Sequence, residues 1–391
     1  MQQLPLSLLV NNVSPKLLHS NLSSGVTLNV QRGAEVIGAL DRAEYPMVAS
    51  LPSYESDKSK LRHQSLVMIV AGANDVSCHD VRVIGAGTIS GNGSAFWYKR
   101  AKSGPKVCGE WQNMEIHNCS HVEVTGITLK DPANWNLHPI YSRDVYIHDM
   151  VISAPCHSPS TDGIDPDSSS NVLIERVNIT SGDDHIAIKA GKDAAGRAFG
   201  MPSRNITVRG NWHGCGGGIS IGSELSGGVE DVLVEDVLHV GPSSTGLQIK
   251  TAPSRGGHAR NVRYRNISFG AVSSGFITIW QNDGSDPPAP RLTDIRNIHY
   301  EQLRRIPGSP ANTRGPGDFL CDAGAECHNI SLVDVHLEPA AKNWGCFYMD
   351  GTSVRDVTPA GLEDCFAQCV SGGYQVCPRN ASTPPAAKLR G

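Results

Sequence analysis

The chain of 391 residues is predicted to be an all-β protein that forms one elongated parallel β-helix. Three observations lead to this prediction: a strand-like phrase recurs along the chain, apolar and polar residues alternate within it, and no amphipathic helix of similar quality separates the copies. The 41 glycines and 24 prolines agree with a turn-rich protein. A sandwich of two antiparallel sheets is the alternative, but it would require more hairpin signals than the chain contains.

The strand-like phrase occurs eight times, and each copy begins with a polar residue, usually Asn or Asp. The first apolar residues of the copies are Val122, Val145, Val172, Ile206, Val232, Val262, Ile298 and Ile330. Successive copies are 23 to 36 residues apart, which is typical of one solenoid coil per copy. Because Asn and Asp tolerate a left-handed backbone, the leading residue is expected in a turn, with the apolar residues in an interior column.

The coils are predicted to form one catalytic domain over residues 24–378, between an irregular segment at 1–23 and a flexible tail at 379–391. The first ten residues contain a short apolar run without a basic region or a clear cleavage site, so a signal peptide is not evident. A truncated N-terminus or missing first coils would explain this start. An uncapped end exposes strand edges, so we expect aggregation unless residues 1–23 cover it.

The charge and the distribution of apolar residues argue against two classes of partner, nucleic acids and membranes. The net charge is −4, and neither basic runs nor aromatic residues interleaved with basic ones occur, so we expect no binding to nucleic acid. No stretch of 18 apolar residues occurs, so no membrane span is expected. We expect a monomer.

Cysteines and glycosylation sequons indicate an oxidising compartment, so we expect a secreted, extracellular or cell-wall protein. Nine Asn-x-Ser/Thr sequons are present, and six of the 11 cysteines follow residue 320. We expect disulfides in this C-terminal group, because no pair of cysteines has the spacing of a zinc cluster. The odd total leaves a free thiol, for which Cys119 and Cys215 are the candidates.

Four aspartates within a window of 23 residues are the strongest chemical signal in the chain: Asp162, Asp165, Asp183 and Asp184. Strands of neighbouring coils lie about 4.8 Å apart, so a β-helix would bring these acids together on one outer face. Lys250 would lie two coils further along that face. Such a cluster performs acid–base chemistry or binds a cation. The spacing of Asp162, Asp165 and Asp167 resembles a calcium loop but lacks its complete pattern, and we expect neither a metal nor a cofactor.

Four motifs in order give the chain a resemblance to glycoside hydrolase family 28, the polygalacturonases, and in particular to their plant-type branch. They are Ser160-Thr-Asp-Gly-Ile-Asp165, Gly182-Asp-Asp184, Gly216-Gly-Gly218 and Gln248-Ile-Lys250, and the resemblance covers roughly residues 25 to 350. It implies a single-stranded right-handed parallel β-helix that hydrolyses α-1,4-galacturonosyl linkages with inversion.

The resemblance also implies a role for each site residue. Asp183 would be the general acid, Asp162 and Asp184 would activate the water, and Lys250 would pair with a carboxylate of the polyuronate, the polysaccharide partner. Repulsion among the carboxylates would raise one pKa and keep the acid protonated at mildly acidic pH.

Two positions depart from the family motifs: Gly217 replaces a histidine and Gln248 replaces an arginine. Gln248 can still donate to a carboxylate, but without charge it should bind a uronate more weakly. His185 is a candidate substitute for the missing histidine, as is His213, and His138 is a further candidate for the cleft. The departures leave two alternatives: a catalytically impaired carbohydrate-binding or structural β-helix, and a calcium-dependent lyase that cleaves the same polymer by β-elimination.

Overall fold

The computed structural model describes residues 6–10, 20–54, 60–72, 75–97, 111–283, 287–312, 314–363 and 375–377. Within them, nearly all strand pairs are parallel, and each coil adds one short strand to each of several stacked rows. This is a parallel β-helix, as predicted. No helix in the described part is long and apolar enough to cross a membrane.

One row of strands, the site sheet, carries the acidic motifs. Its strands are Ser20–Leu22, Val67–Ile69, Met114–His117, Leu137–Ile140, Ile186–Ile188, Ile219–Ile221, Leu247–Lys250, Ile277–Trp280, Gly317–Leu320, Gly345–Phe347 and Gln375–Val376. Single bridges at Ile164 and Asp167 join its first four strands to the remainder. Only the pairing of the last two strands is antiparallel within this sheet.

The other rows form one continuous sheet of 19 strands, the long sheet. Its first part contains Leu6–Val10, Val26–Val30, Cys78–Gly85, Cys119–Thr125, Arg143–His148, Ser170–Glu175 and Ser203–Arg209. Its second part contains Glu35–Ile37, Thr88–Ser90, Thr128–Lys130, Val151–Ser153, Asn178–Thr180 and Trp212–His213. Four longer strands span both parts, Val229–His239, His258–Phe269, Asp294–Arg305 and Cys327–His336, and Met349–Asp350 and Ser353–Thr358 follow them.

The remaining elements are short. Met47–Ala49 and Leu61–His63 form an antiparallel pair, and Arg42–Glu44 and Pro52–Tyr54 are single 3₁₀ turns. The helix Asp193–Phe199 ends at Gly200, whose φ of 63° provides the left-handed cap that glycine adopts without strain.

The eight predicted phrases lie in exact register in the long sheet. Their first apolar residues pair with one another from coil to coil, from Val122 on Val145 to Ile298 on Ile330. The residue before each of them has a positive φ, for example 54° at Asn171 and 56° at Asn297. The sequence pattern therefore predicted both the register and the left-handed turn.

The interior is a column of side chains stacked coil on coil. Aliphatic residues fill most of it, and stacked rings continue it toward the C-terminus, where the centroids of Tyr264 and Tyr300 are 5.0 Å apart. Three buried histidines, His185, His213 and His239, contact one another in the middle of the column.

The prediction of an irregular segment over residues 1–23 is wrong for part of it. Leu6–Val10 is a strand paired with Val26–Val30, and Ser20–Leu22 pairs with Val67–Ile69. Leu6–Val10 therefore continues the stack of the long sheet beyond Val26–Val30. The predicted tail at 379–391 lies outside the described residues, and the domain boundaries stay predictions.

The prediction of a free thiol at Cys119 or Cys215 is also wrong. Cys119 is in register with Cys78 on the neighbouring coil, and their Cα atoms are 4.4 Å apart within a disulfide. Cys215 is bonded to Cys156. In the C-terminal group, Cys321 is bonded to Cys327, and Cys346 and Cys377 are also disulfide-bonded. Sequence spacing could not show these pairs, because the coils bring together residues that are up to 59 positions apart.

Candidate active site

Three neighbouring coils of the site sheet bring the acidic motifs together. The backbone N–H of Gly163 donates to the carbonyl of Asp184 at 2.9 Å, so Asp162 and Asp184 lie on adjacent coils. Ile186–Ile188 pairs with Ile219–Ile221, which pairs with Leu247–Lys250. Outward-facing side chains of paired strands share one face of the sheet, so Lys250 joins the acids on what we call the site face.

The carboxylates of Asp162, Asp183 and Asp184 form one cluster. Each contributes an oxygen that lies within 4.8 Å of an oxygen of the other two. Asp162 and Asp184 are buried, with 4% of each exposed, whereas Asp183 is partly exposed. Asp183 is therefore the acid that a ligand reaches most directly.

Asp184 is fixed by donors on both of its oxygens. The hydroxyl of Ser220 donates to Oδ1 at 2.9 Å, and Nζ of Lys250 donates to Oδ2 at 2.8 Å. These two donors fix the orientation of the carboxyl group. Burial opposes the charge on Lys250, but Asp184 outweighs this effect and raises the pKa of the lysine.

A second lysine, Lys189, lies beneath the cluster and is 4% exposed. Its Nζ is 3.7 Å from Asp162, 3.5 Å from Asp165 and 3.4 Å from Glu224. The same atom lies 4.4 Å from the centre of the Trp135 ring, a cation–π arrangement. The site therefore contains two lysines among five carboxyl groups.

An excess of carboxyl groups over cations leaves protons in the cluster. Burial, and then the charge of Asp183, raises the pKa of Asp162 to about 8. Burial and the adjacent Asp184 raise the pKa of Asp183. Both oxygens of Asp165 are buried without a hydrogen-bond partner, and burial together with Asp162 raises its pKa well above the usual range. Protons in such a cluster belong to the group of acids rather than to a single residue.

The pKa of Glu224 is shifted in the opposite direction, below its usual value. Burial opposes its ionisation, but the charges of Lys189 and Arg255 outweigh burial and lower its pKa to about 2. Glu224 therefore stays charged and neutralises Lys189 from the side away from the aspartates.

Two histidines predicted to bind substrate are completely buried, and this corrects the expectation that they line the cleft. His138 is 0% exposed and contacts Gln112 and Asp167. His185 is 0% exposed; it accepts from the N–H of Gly218 at Nδ1, and Nε2 lies 3.0 Å from the carbonyl of Cys215. His185 stacks on His213 inside the coil, whereas His138 alternates outward with Glu115 and is covered by its neighbours, among them Trp135.

The two departures from the family motifs occupy different environments. A Cβ at Gly217 would lie 2.7 Å from Oδ1 and 2.9 Å from the backbone nitrogen of Asp184, so the present backbone excludes any side chain there. Gln248 faces outward in register with Ser220 and is 9% exposed. It lies beside the acid cluster but carries no charge.

Sequence reasoning did not identify Lys189 and assigned no role to Trp135 or Asp165. The signal for Lys189 was available: it follows Ile186-Ala-Ile188, whose alternation turns residue 189 outward beside the acids. Asp167, two residues after Asp165, does not join the cluster, because it accepts from Tyr54 and from the N–H of Gly191.

Most glycoside hydrolases cleave the glycosidic bond with two carboxyl groups, one of which donates a proton, and the cluster on the site face contains such groups. Residues 54–356 match the family described as glycosyl hydrolases family 28. The chain belongs to this family and is a glycoside hydrolase of the polygalacturonase type.

Several known proteins resemble the chain. A probable polygalacturonase of Vitis vinifera is 33% identical over 87% of this chain and 69% of that protein. An endo-polygalacturonase of Pectobacterium parmentieri is 31% identical over 68% of this chain and 66% of that protein. The chain spans 59% of the length of a further relative, a probable polygalacturonase of Arabidopsis thaliana.

Solved structures confirm the right-handed parallel β-helix. An exopolygalacturonase of Thermotoga maritima superposes with a TM-score of 0.76 at 23% identity, over 90% of this chain and 84% of that one. A polygalacturonase of Erwinia carotovora gives 0.63 at 20% identity, over 86% and 81% of the two chains.

Proposed function

We propose that the protein hydrolyses α-1,4-galacturonosyl linkages in pectin-type polysaccharide, with Asp183 as the general acid and Asp162 and Asp184 activating the water. The observation that carries this proposal is the cluster of three carboxylates beside Lys250 on the site face. Family membership supports the reaction class, and the differing exposure of the acids supports the division of roles.

Asp183 is suited to protonate the leaving oxygen. It is the partly exposed member of the cluster, and its raised pKa keeps a proton available at mildly acidic pH. The backbone of the next residue holds it, because Oδ1 accepts from the N–H of Asp184 at 2.9 Å.

Asp184 and Asp162 are suited to hold the attacking water. Asp184 is an oriented carboxylate, and Lys250 and Ser220 fix both of its oxygens. Asp162 must lose its proton to act as a base, and Lys189 at 3.7 Å favours the ionised form.

Lys250 supports a polyuronate as the substrate. Its side chain is 22% exposed, so the ammonium can contact a substrate carboxylate while it remains on Asp184. Gln248 supplies an uncharged donor where the family motif has arginine, so the binding of uronate depends more heavily on this lysine.

Inversion rests on the family resemblance and not on the spacing of the acids. The closest oxygens of the cluster lie within 4.8 Å, whereas the two carboxyl groups of inverting enzymes are typically about 6.5–9.5 Å apart. Proton NMR of the first product anomer tests this part of the proposal directly.

The experiment for the reaction is a product profile on purified homogalacturonan, with and without a chelator. We expect new reducing ends, no rise in ultraviolet absorbance and no effect of the chelator. An absorbing unsaturated product that disappears with the chelator would instead identify the lyase. Binding of the polymer without any new reducing ends would identify an impaired binding protein, for which Gly217 and Gln248 are the motivating residues.

Secretion to the cell exterior or cell wall and a monomeric state belong to the same proposal. The disulfides Cys78–Cys119, Cys156–Cys215 and Cys321–Cys327 support an oxidising compartment. Light scattering of the purified protein at several concentrations measures the oligomeric state, and a dimer mass would contradict this part of the proposal.

A further inference from the structure

An apolar stripe is exposed on the second part of the long sheet. Val151, Trp212 and Leu238 are 40%, 39% and 42% exposed. Together with Asn178 they occupy the same register position on four successive coils, in the order Val151, Asn178, Trp212 and Leu238. Neighbours in such a row are about 4.8 Å apart, so the indole of Trp212 is directly beside the side chain of Asn178.

Asn178 is the first residue of the sequon Asn178-Ile179-Thr180. It lies in a regular strand with its side chain exposed. Within the described residues, its side-chain amide makes no recorded hydrogen bond, so Nδ2 is free to carry a substituent. An acceptor for an oligosaccharide thus lies in the middle of an uncovered apolar row.

In most other sequons of the described part, the side-chain amide nitrogen of the asparagine already donates a hydrogen bond. Nδ2 donates to a neighbouring coil at Asn92, Asn118, Asn205, Asn266 and Asn329. All five have a left-handed backbone with φ of 51–53°. Each of these nitrogens keeps one hydrogen that a sugar could replace, but the sugar would then have to fit beside the coil that accepts the bond.

Asn205 is the closest comparison, because Asn205-Ile-Thr207 repeats the tripeptide of Asn178 and is also exposed. Its Nδ2 lies 2.8 Å from Oδ1 of Asn171 in the ladder of asparagines along the turn. The two sites therefore share a local sequence and differ in the fold around the amide.

We propose that Asn178 carries an N-linked glycan whose first N-acetylglucosamine packs on the indole of Trp212 and covers the apolar stripe. The amide Nδ2 attacks C1 of a lipid-diphosphate-linked oligosaccharide. The Nδ2–C1 bond forms, the C1–oxygen bond to the diphosphate breaks, and the amide proton leaves to the transferring enzyme. The apolar face of a pyranose then lies on the ring, which buries surface that water now covers.

The test directs the full chain through a eukaryotic secretory pathway and maps the secreted protein. Release with a peptide N-glycanase in heavy-oxygen water hydrolyses the bond between the side-chain amide and the sugar and converts each occupied asparagine to labelled aspartate, which peptide mass spectrometry detects. We expect label at Asn178 and none at Asn205. Asn178→Gln should remove one glycan mass from the intact protein, and the matched control Asn205→Gln should remove none. An unlabelled Asn178, or equal label at both residues, overturns the proposal.

A second variant tests the packing. Trp212→Ala keeps the sequon, and it should lower the melting temperature of the glycosylated protein by about 1–3 °C. After enzymatic removal of the glycan, the same substitution should change the melting temperature much less. An equal change before and after deglycosylation overturns the contact between sugar and indole. A dimer formed through the stripe, with Asn178 unmodified, overturns the proposal as a whole.

Discussion

The three clustered aspartates differ in what surrounds each of them, and these surroundings separate their roles. Asp184 accepts from Lys250 and Ser220, Asp162 faces Lys189, and Asp183 faces the solvent side. A carboxyl group that is reachable and retains its proton can donate it, whereas one fixed by cations can orient water.

Replacing Asp183 by asparagine should remove the proton donor and keep the shape of the site. We expect a fall in kcat of roughly 10²–10⁴-fold, with little change in KM or in the melting temperature. The measurement is steady-state release of reducing ends on homogalacturonan. Asp350→Asn, at an exposed carboxylate outside the cluster, is the control and should leave kcat unchanged. Retention of full activity in D183N would contradict its role as the acid.

Replacing Lys189 by methionine should shift the acidic limb of the pH–rate profile to higher pH. The lysine lowers the pKa of Asp162 against the effect of burial, so without it the base ionises only at higher pH. The pH dependence of kcat/KM measures this shift. Lys189→Arg, which keeps the charge, should restore most of the original profile. A loss of rate without any shift of the limb would indicate a purely structural lysine.

The sequence predicted the three catalytic candidates and Lys250 as neighbours, because strand spacing alone stacks their motifs. It did not predict that His138 and His185 are buried, since period-two alternation does not show how closely loops cover an outward side chain. The contacts of Lys189 could not be predicted from the sequence either, because they involve Glu224 and Trp135 on other coils.

At the scale of an element, side-chain hydrogen bonds between asparagines, or from asparagine to aspartate, link the left-handed turns of several successive coils of the long sheet. Asn297 donates to Asn261 at 3.0 Å and accepts from Asn329 at 2.9 Å. Its φ of 56° is one that asparagine and glycine tolerate better than other residues. The ladder satisfies polar groups at the corner and fixes the register of successive coils.

Asn297→Ala should destabilise the protein by about 2 kcal/mol, because it removes two hydrogen bonds and forces alanine into a left-handed backbone. Asn297→Gly loses the same bonds without the strain, and we expect a cost nearer to 1 kcal/mol. Urea unfolding measures both values. A glycine variant less stable than the alanine variant would contradict the importance of the backbone conformation.

The strands of the long sheet and their turns were the part of the fold that the sequence predicted best. Each copy of the phrase shows the period-two alternation of a strand and begins with a polar residue suited to the turn. The helix Asp193–Phe199 and the strand Leu6–Val10 were not predicted. Both are short, and their pairing with distant coils stabilises them more than any local pattern does.

At the scale of the whole molecule, buried ionisable groups make stability depend on pH in two opposing directions. Burial lowers the pKa of His185 to about 4 and those of His213 and His239 well below the usual value. Burial raises the pKa of Asp162 to about 8. The histidines favour folding at higher pH, and the aspartate favours it at lower pH.

We expect the contribution of the three buried histidines to the free energy of unfolding to decrease as the pH falls from about 6.5 toward 4, because the unfolded state binds protons that the folded histidines do not. The buried aspartates oppose this change, so the effect is measured as the difference between the wild type and a histidine variant. His213→Phe keeps a ring against His185, stacked now at 4.5 Å, and should weaken this acid sensitivity. Urea unfolding at several pH values measures the slope. An unchanged slope in the variant would show that the ring titrates normally.

The eight phrases stay in register although they are spaced by 23 to 36 residues. The differences in length therefore lie in the segments between the strands of the long sheet. Insertions there can reshape the walls and ends of the cleft while the acids keep their positions. Such a scaffold separates catalysis from the choice of polymer and of cleavage position. Changes in loop length can therefore alter which substrate binds without moving the catalytic residues.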